Sequence, residues 1–285
     1  MGGICQGVRN DLVGEGGVVR AARLLALVFP LMVLGVPVSA VAEPAALNDW
    51  HCRPSAEQPR PVVLVHGIAD GVGAWRDLAP RLAERGRCVF ALEYGKDPRT
   101  FGQVNGFAPL AQSAAEIAAF AEQVRERTGA ARVDLVGHSE GGLLSLVVSR
   151  ELGAEKVGTA VLLAPPTHGT TLGGLVTAVD EAGLRPAAEY VLRANVCPAC
   201  ADMVRGSRFI TELTAPPIAA PGVRYTILAS AHDQVSSPGG MVSFIEEPGV
   251  VNLLAENRWP DGGFAHGTLP QDPRVLTWVT DLLTR

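Results

Sequence analysis

Short, wholly apolar runs alternate with longer stretches of helical periodicity along most of the chain. Pro61-Val62-Val63-Leu64-Val65 is one such run, ending at His66-Gly67. A strand with no polar face belongs in a parallel sheet covered on both sides. Cys88 to Leu92, Arg132 to Val136, Val157 to Leu163, Tyr225 to Ala229 and Val250 to Leu254 repeat the pattern. Helical stretches lie between and after them. Arg76 to Arg85 carries Leu78 and Leu82 four apart. Leu110 to Thr128 brings Ile117, Phe120 and Val124 together and is stopped by Gly129. Gly141 to Glu151 is apolar and helical, and Asp272 to Leu283 is a closing amphipathic helix. Strands alternating with helices predict an α/β architecture with a doubly wound, mostly parallel sheet. Residues 172–213 break the rhythm. They are helical in character, sit between two strands, and read as an insertion placed like a lid or cap over the C-terminal edge of the sheet.

One apolar run does not belong to this pattern. Arg20 and Arg23 precede Leu24 to Val38, and Ala40-Val41-Ala42 supplies small residues at a cleavage site. The run is short for a membrane span and contains Pro30 and Pro37. Residues 1–42 therefore read as an export signal, leaving 43–285 as the domain and a secreted protein as the expectation. Export changes the meaning of the cysteines beyond the leader: Cys52, Cys88, Cys197 and Cys200. An even number in an oxidising compartment suggests two disulfides, for which three pairings exist. Cys197 and Cys200 flank only Pro198-Ala199, which favours a local bridge and leaves Cys52 for Cys88. Composition adds two limits. With 47% hydrophobic and 19% charged residues, the chain can bury a sizeable core. With a net charge of -5 and no basic cluster, it is not expected to bind nucleic acid.

The candidate chemistry centres on Gly137-His138-Ser139-Glu140-Gly141. A predicted strand precedes it and a predicted helix follows, the context of a nucleophile elbow. Gly137 and Gly141 leave room where so sharp a turn crowds its neighbours. A serine hydroxyl is a weak nucleophile at neutral pH and needs a base, which in turn needs an orienting carboxylate. The chain order in such folds is Ser, then Asp or Glu, then His. His168, His232 and His266 follow Ser139. His266 lies in a late loop before the last helix, where a base can reach over the serine. His168 precedes the acid candidates and reads as a loop-shaping residue. Asp233 follows the end of a strand, where catalytic groups of α/β sheets gather. Asp261 and Asp202 are the alternatives, and His232 reads as a neighbour of the acid. Charge developing on a carbonyl oxygen requires aimed N–H donors. The backbone of Glu140 and that of Ile68, in the loop after the first strand, are the candidates. His66 and His138 read as packing and hydrogen-bonding residues of their turns, not as bases. No metal-ligand spacing, phosphate loop or dinucleotide fingerprint is present, so hydrolysis without cofactor or metal is expected.

Four separated segments carry a family resemblance: Val62-Val63-Leu64-Val65-His66-Gly67, Cys88-Val89-Phe90-Ala91-Leu92-Glu93-Tyr94-Gly95, Val136-Gly137-His138-Ser139-Glu140-Gly141-Gly142 and Pro166-Thr167-His168-Gly169-Thr170. Together they resemble the secreted class 2 triacylglycerol lipases of actinobacteria, from about Asp49 to the end. The resemblance implies an α/β-hydrolase fold and a nucleophile at Ser139, an acid at Asp233 and a base at His266. It also implies Cys52–Cys88 and Cys197–Cys200 bridges, and a lipid or ester substrate met at a lipid–water interface. Two positions depart from the family pattern. Glu140 stands where Gln is frequent, and Glu93 where Asn is frequent. A carboxylate at Glu140 is expected to oppose an oxyanion unless it points away or is paired. A short-chain esterase, polyester hydrolase or acyltransferase would use the same triad. A catalytically silent binding protein on this scaffold is the non-enzymatic alternative.

Overall fold

All four residues of the first strand, Val62–Val65 (β1), are buried, which requires a sheet covered on both faces. The computed structural model describes residues 47–284. The expected export segment, residues 1–42, lies outside the described residues. Five further strands follow: β2 (Val89–Ala91), β3 (Val133–His138), β4 (Val157–Leu163), β5 (Arg224–Ala229) and β6 (Val250–Leu254). They form a sheet in the order β2-β1-β3-β4-β5-β6, and every adjacent pair is parallel. The expected α/β class is therefore met, with a described sheet that is parallel throughout.

Strand alternation sorts the core into two layers. Val63 and Val65 face α2 (Leu110–Thr128) and α3 (Glu140–Leu152), together with Leu135, Ala160 and Ile227. Val62 and Leu64 face α1 (Leu78–Glu84) and α9 (Pro273–Leu283), together with Val136, Val161 and Leu228. Four α-helices and one π-helical turn (Leu192–Val196) lie between β4 and β5; the α-helices are α4 (Leu175–Glu181), α5 (Arg185–Val191), α6 (Pro198–Met203) and α7 (Arg208–Leu213). The short α8 (Ala255–Arg258) follows β6.

The strand order places β1 and β3 side by side while the chain leaves them in opposite directions. Their C-terminal ends thus flank a topological switch point, where open α/β sheets hold ligands. The insertion is tied to loops at this edge. Ala199 N–H donates to the Phe107 carbonyl at 3.3 Å, beyond β2. Thr170, after β4, bridges to Val204, and Gly173 N–H donates to the Ser237 Oγ at 2.8 Å, beyond β5. Two disulfides are formed. Cys52–Cys88 fastens the N-terminal segment to the start of β2, and Cys197–Cys200 closes a turn inside the insertion.

Three boundaries differ from the sequence pattern. The pattern ends the third strand at Val136, but β3 runs on through Gly137 and His138, which are partnered by Leu162 and Leu163 of β4. A 3-10 turn at Val72–Trp75 precedes α1. His266 opens a 3-10 helix, His266–Gln271, where the pattern places a loop. Among the described residues no helix is long and apolar enough to cross a membrane.

Candidate active site

Ser139 joins β3 to α3 with φ 54° and ψ -124°, a conformation unfavourable for any residue with a Cβ. The surroundings hold it there. Its N–H donates to the Leu163 carbonyl at 2.8 Å, and its carbonyl accepts from Leu143 N–H at 3.0 Å. The flanking glycines are required by contact. A Cβ on Gly137 would stand 2.2 Å from the Gly141 carbonyl oxygen. One on Gly141 would stand 2.2 Å from the carbonyl oxygens of both Val65 and His66. The turn therefore packs directly on the end of β1, and the serine side chain emerges at the switch point.

The loop after β5 supplies a carboxylate and the segment after α8 supplies an imidazole. Asp233 is buried, and its Oδ1 accepts from the N–H groups of Val235 and Ser236, both at 2.8 Å. Its Oδ2 is 2.7 Å from His266 Nδ1. His266 Nε2 is 2.8 Å from Ser139 Oγ. An ionised carboxylate only accepts, so Nδ1 carries the hydrogen and Nε2 is left to accept from the serine hydroxyl. The structure thus brings Ser139, His266 and Asp233 into one hydrogen-bonded chain. Such a chain can deprotonate the hydroxyl as it attacks and return the proton to a leaving group.

Residues 60–209, more than half of the 285-residue chain, match the family model of the alpha/beta hydrolase fold. The chain belongs to the α/β-hydrolase family. A curated triacylglycerol lipase of Burkholderia plantarii is 29% identical over 176 residues. That match covers 58% of this chain and 46% of the lipase, so the chain aligns with about half the length of that relative. Aspergillus fumigatus lipase B superposes with a TM-score of 0.62 at 16% identity, over 82% of this chain and 55% of that one. The mature form of Bacillus licheniformis lipase BlEst2 gives 0.57 at 16% identity, over 82% of this chain and 95% of its own. At that identity the two structures bear on the fold alone.

In this α/β-hydrolase the two candidate oxyanion donors belong to segments that flank Ser139. Glu140 N–H belongs to the first turn of α3 and has no acceptor within the helix. Ile68 lies in the loop after β1, which is pinned on both sides of it. Asp70 N–H donates to the Gly67 carbonyl at 3.2 Å, and Ala69 N–H to the Asn105 carbonyl at 3.0 Å. Gly67 lets this loop approach the nucleophile, since a Cβ there would be 3.2 Å from Ser139 Cβ.

Most of the remaining candidates have structural partners. His138 Nε2 faces the His266 carbonyl at 2.9 Å, and burial, together with the neighbouring His266 ring, pushes its pKa down to about 3. It stays neutral and bonds the backbone of the base, so the hydrogen bond expected of it reaches His266 and not its own turn. His66 is buried, which holds its pKa down, and it stacks on Tyr94 with ring centroids 4.4 Å apart. His168 Nε2 bonds the Phe244 carbonyl at 2.8 Å. His232 and Asp261 are exposed. Asp202 accepts from Leu110 N–H at 3.0 Å and pairs with Arg193 at 2.8 Å, so it caps α2. The Asp233 hydrogen bonds to Val235 and Ser236 come from backbone N–H groups, and the signal for them is the tendency of an Asp side chain to accept from the backbone two residues on. Among the described residues no group of three or more His, Cys, Asp or Glu could hold a metal ion.

Glu140 corrects an expectation. Its residue is fully buried, and burial pushes its carboxyl pKa well above the usual range. The adjacent Tyr94 hydroxyl offsets part of that, while the charge of Asp202 adds to it. Burial thus favours the uncharged form of the side chain beside the nucleophile over the negative charge that the residue type suggests.

Proposed function

We propose that this chain is a secreted carboxylic-ester hydrolase, specifically a triacylglycerol lipase, acting through an acyl-enzyme on Ser139. The observation that carries the reading is the unbroken chain of hydrogen bonds from Ser139 through His266 to Asp233, at 2.8 and 2.7 Å. Ser139 Oγ attacks the ester carbonyl as its proton passes to His266 Nε2. Asp233 holds Nδ1–H and stabilises the imidazolium. The N–H groups of Glu140 and Ile68 receive the oxyanion. The imidazolium returns its proton to the departing alcohol, and water then cleaves the acyl-enzyme by the same sequence. No step calls on a cofactor or metal.

A lipid substrate is favoured by apolar residues exposed on the insertion and on the loops it touches. Phe101, Leu172, Leu175, Leu184, Tyr190 and Met241 are large apolar residues exposed to solvent, with Phe101 at 89% and Tyr190 at 71%. Their segments converge: Arg99 bonds the Ala194 carbonyl, and Thr170 Oγ1 bonds the Val235 carbonyl. Apolar surface of this kind suits an interface with lipid, and the 172–213 insertion that carries much of it is assigned the role of a lid. Two disulfides and the N-terminal leader pattern support export.

The test is Ser139→Ala on p-nitrophenyl esters, with an expected loss of about 10⁴-fold or more in kcat. Undiminished activity would refute the assignment. A series of acyl chain lengths with emulsified triglyceride distinguishes the lipase from a short-chain esterase: preference for the emulsion supports the former.

A further inference from the structure

None of the steps above uses the side chain of Glu140. It is fully buried, and no group donates a hydrogen bond to either carboxyl oxygen among the described residues: the adjacent Tyr94 hydroxyl gives its hydrogen to His66. An ionised carboxylate in that state would carry a large desolvation cost. The groups around it offer no compensating charge. From the loop after β2 comes Tyr94, whose hydroxyl donates to the His66 carbonyl at 2.7 Å. From α6 comes Asp202, an acid itself, already paired with Arg193. From the loop after β1 comes His66, buried against the Tyr94 ring. Asp70 and Glu93, farther out, add only negative charge to this corner.

The carboxyl is also placed where it can matter to the oxyanion loop. Both oxygens are 3.2 Å from the position a Cβ would take on Gly106, and that position is 3.0 Å from Ile68 Cα. Gly106 N–H donates to the Tyr94 carbonyl at 2.9 Å, and its neighbour Asn105 accepts from Ala69 N–H at 3.0 Å. The Glu140 carboxyl and the Ile68 backbone therefore meet across Gly106, a residue with φ of +74° and no side chain to separate them.

We propose that Glu140 is a positioning residue: its fully buried carboxyl group, packed against Gly106, sets the height of the Ile68 oxyanion donor. Ionisation of that carboxyl would withdraw the support. The inference rests on the reading of Ser139 as the nucleophile of an ester hydrolase. A neutral acid brings its own hydrogen and can donate it to the Tyr94 oxygen, extending the bond from Tyr94 to His66 and so to the loop that carries Ile68. A carboxylate can only compete with His66 for the Tyr94 hydrogen. It would also stand near Asp202 and near the oxyanion in a region of low dielectric, where like charges repel strongly. Small displacements of an oxyanion donor are costly in rate.

Glu140→Gln keeps the size and the neutral donor but cannot ionise. The experiment compares the pH dependence of kcat on a soluble p-nitrophenyl ester for wild type and E140Q, each against its own maximum. The carbonyl band of a protonated carboxyl is followed by difference infrared spectroscopy at neutral pH, and thermal unfolding is recorded across the same pH range. Wild type is expected to lose activity on an alkaline limb that E140Q lacks or shows at higher pH. The infrared band is expected in wild type and not in E140Q, and the Tm advantage of E140Q is expected to grow as pH rises. The same limb in both enzymes, a wild-type profile flat up to the pH of unfolding, or no protonated band in wild type would each overturn the proposal. A wild type inactive toward every ester would instead refute the ester-hydrolase reading, and the infrared and unfolding comparisons would still judge whether Glu140 is neutral.

Discussion

At the scale of single residues, the site depends on which atoms carry hydrogens. Asp233 selects the His266 tautomer by accepting from Nδ1. Asp233→Asn would offer an amide there and favour the wrong tautomer, with an expected fall of roughly 10³–10⁴-fold in kcat and little change in fold. Steady-state kinetics alongside circular dichroism check this. Glu140 carries a stability consequence. Its folded-state pKa lies above that of the unfolded chain, so the native state holds the proton more tightly. This contribution is full below the unfolded carboxylate pKa, near 4, and is lost as pH rises toward the folded value, by up to about 1.4 kcal/mol per pH unit. Urea denaturation of wild type and E140Q over that range should show the difference widening with pH. Ser139, Asp233 and His266 were legible because the elbow has a local signature and the partners follow in a set order. The state of Glu140 was not, because its burial depends on Tyr94, Gly106 and Asp202, which come from loops and a helix far away in sequence.

At the scale of elements, the strand-to-helix turn and the insertion are opposites. The turn has no slack. Gly141→Ala would drive a methyl group into the backbone carbonyls of Val65 and His66, which cannot swing aside. The expected cost is about 3 kcal/mol or more, with loss of activity, measurable by chemical denaturation. The insertion has slack. Among its first helices, α4 buries only Val176 and α5 buries no residue, whereas α2 buries eight. Amides of α4 and α5 should exchange with deuterium far faster than those of α2, and micelles of a non-ionic detergent should slow them. Slow exchange without detergent would remove the case for a movable lid. The strands and long helices could be read from the chain because burial on two faces leaves an unbroken apolar run. The extension of β3 through Gly137 and His138 could not, since it is dictated by pairing with β4 and not by local preference.

At the scale of the whole molecule, the parallel sheet gathers residues from β1, β3, β5 and beyond β6 at one edge, and the core on both faces keeps them there. The N-terminal segment is held by Cys52–Cys88, which spans 36 residues and joins it to β2. Replacing both cysteines by alanine should lower stability by about 3–4 kcal/mol, seen as a fall in the urea midpoint. The fold class followed from the alternation of strands and helices, but the position of the switch point needed the strand order. Hydrolysis by this site requires that Ser139 be an activated nucleophile. The most direct measurement is labelling of the folded protein with a fluorophosphonate probe, followed by peptide mass spectrometry. A single adduct on Ser139, lost in His266→Ala, is the result expected; an unlabelled Ser139 in the folded, disulfide-bonded protein would contradict it.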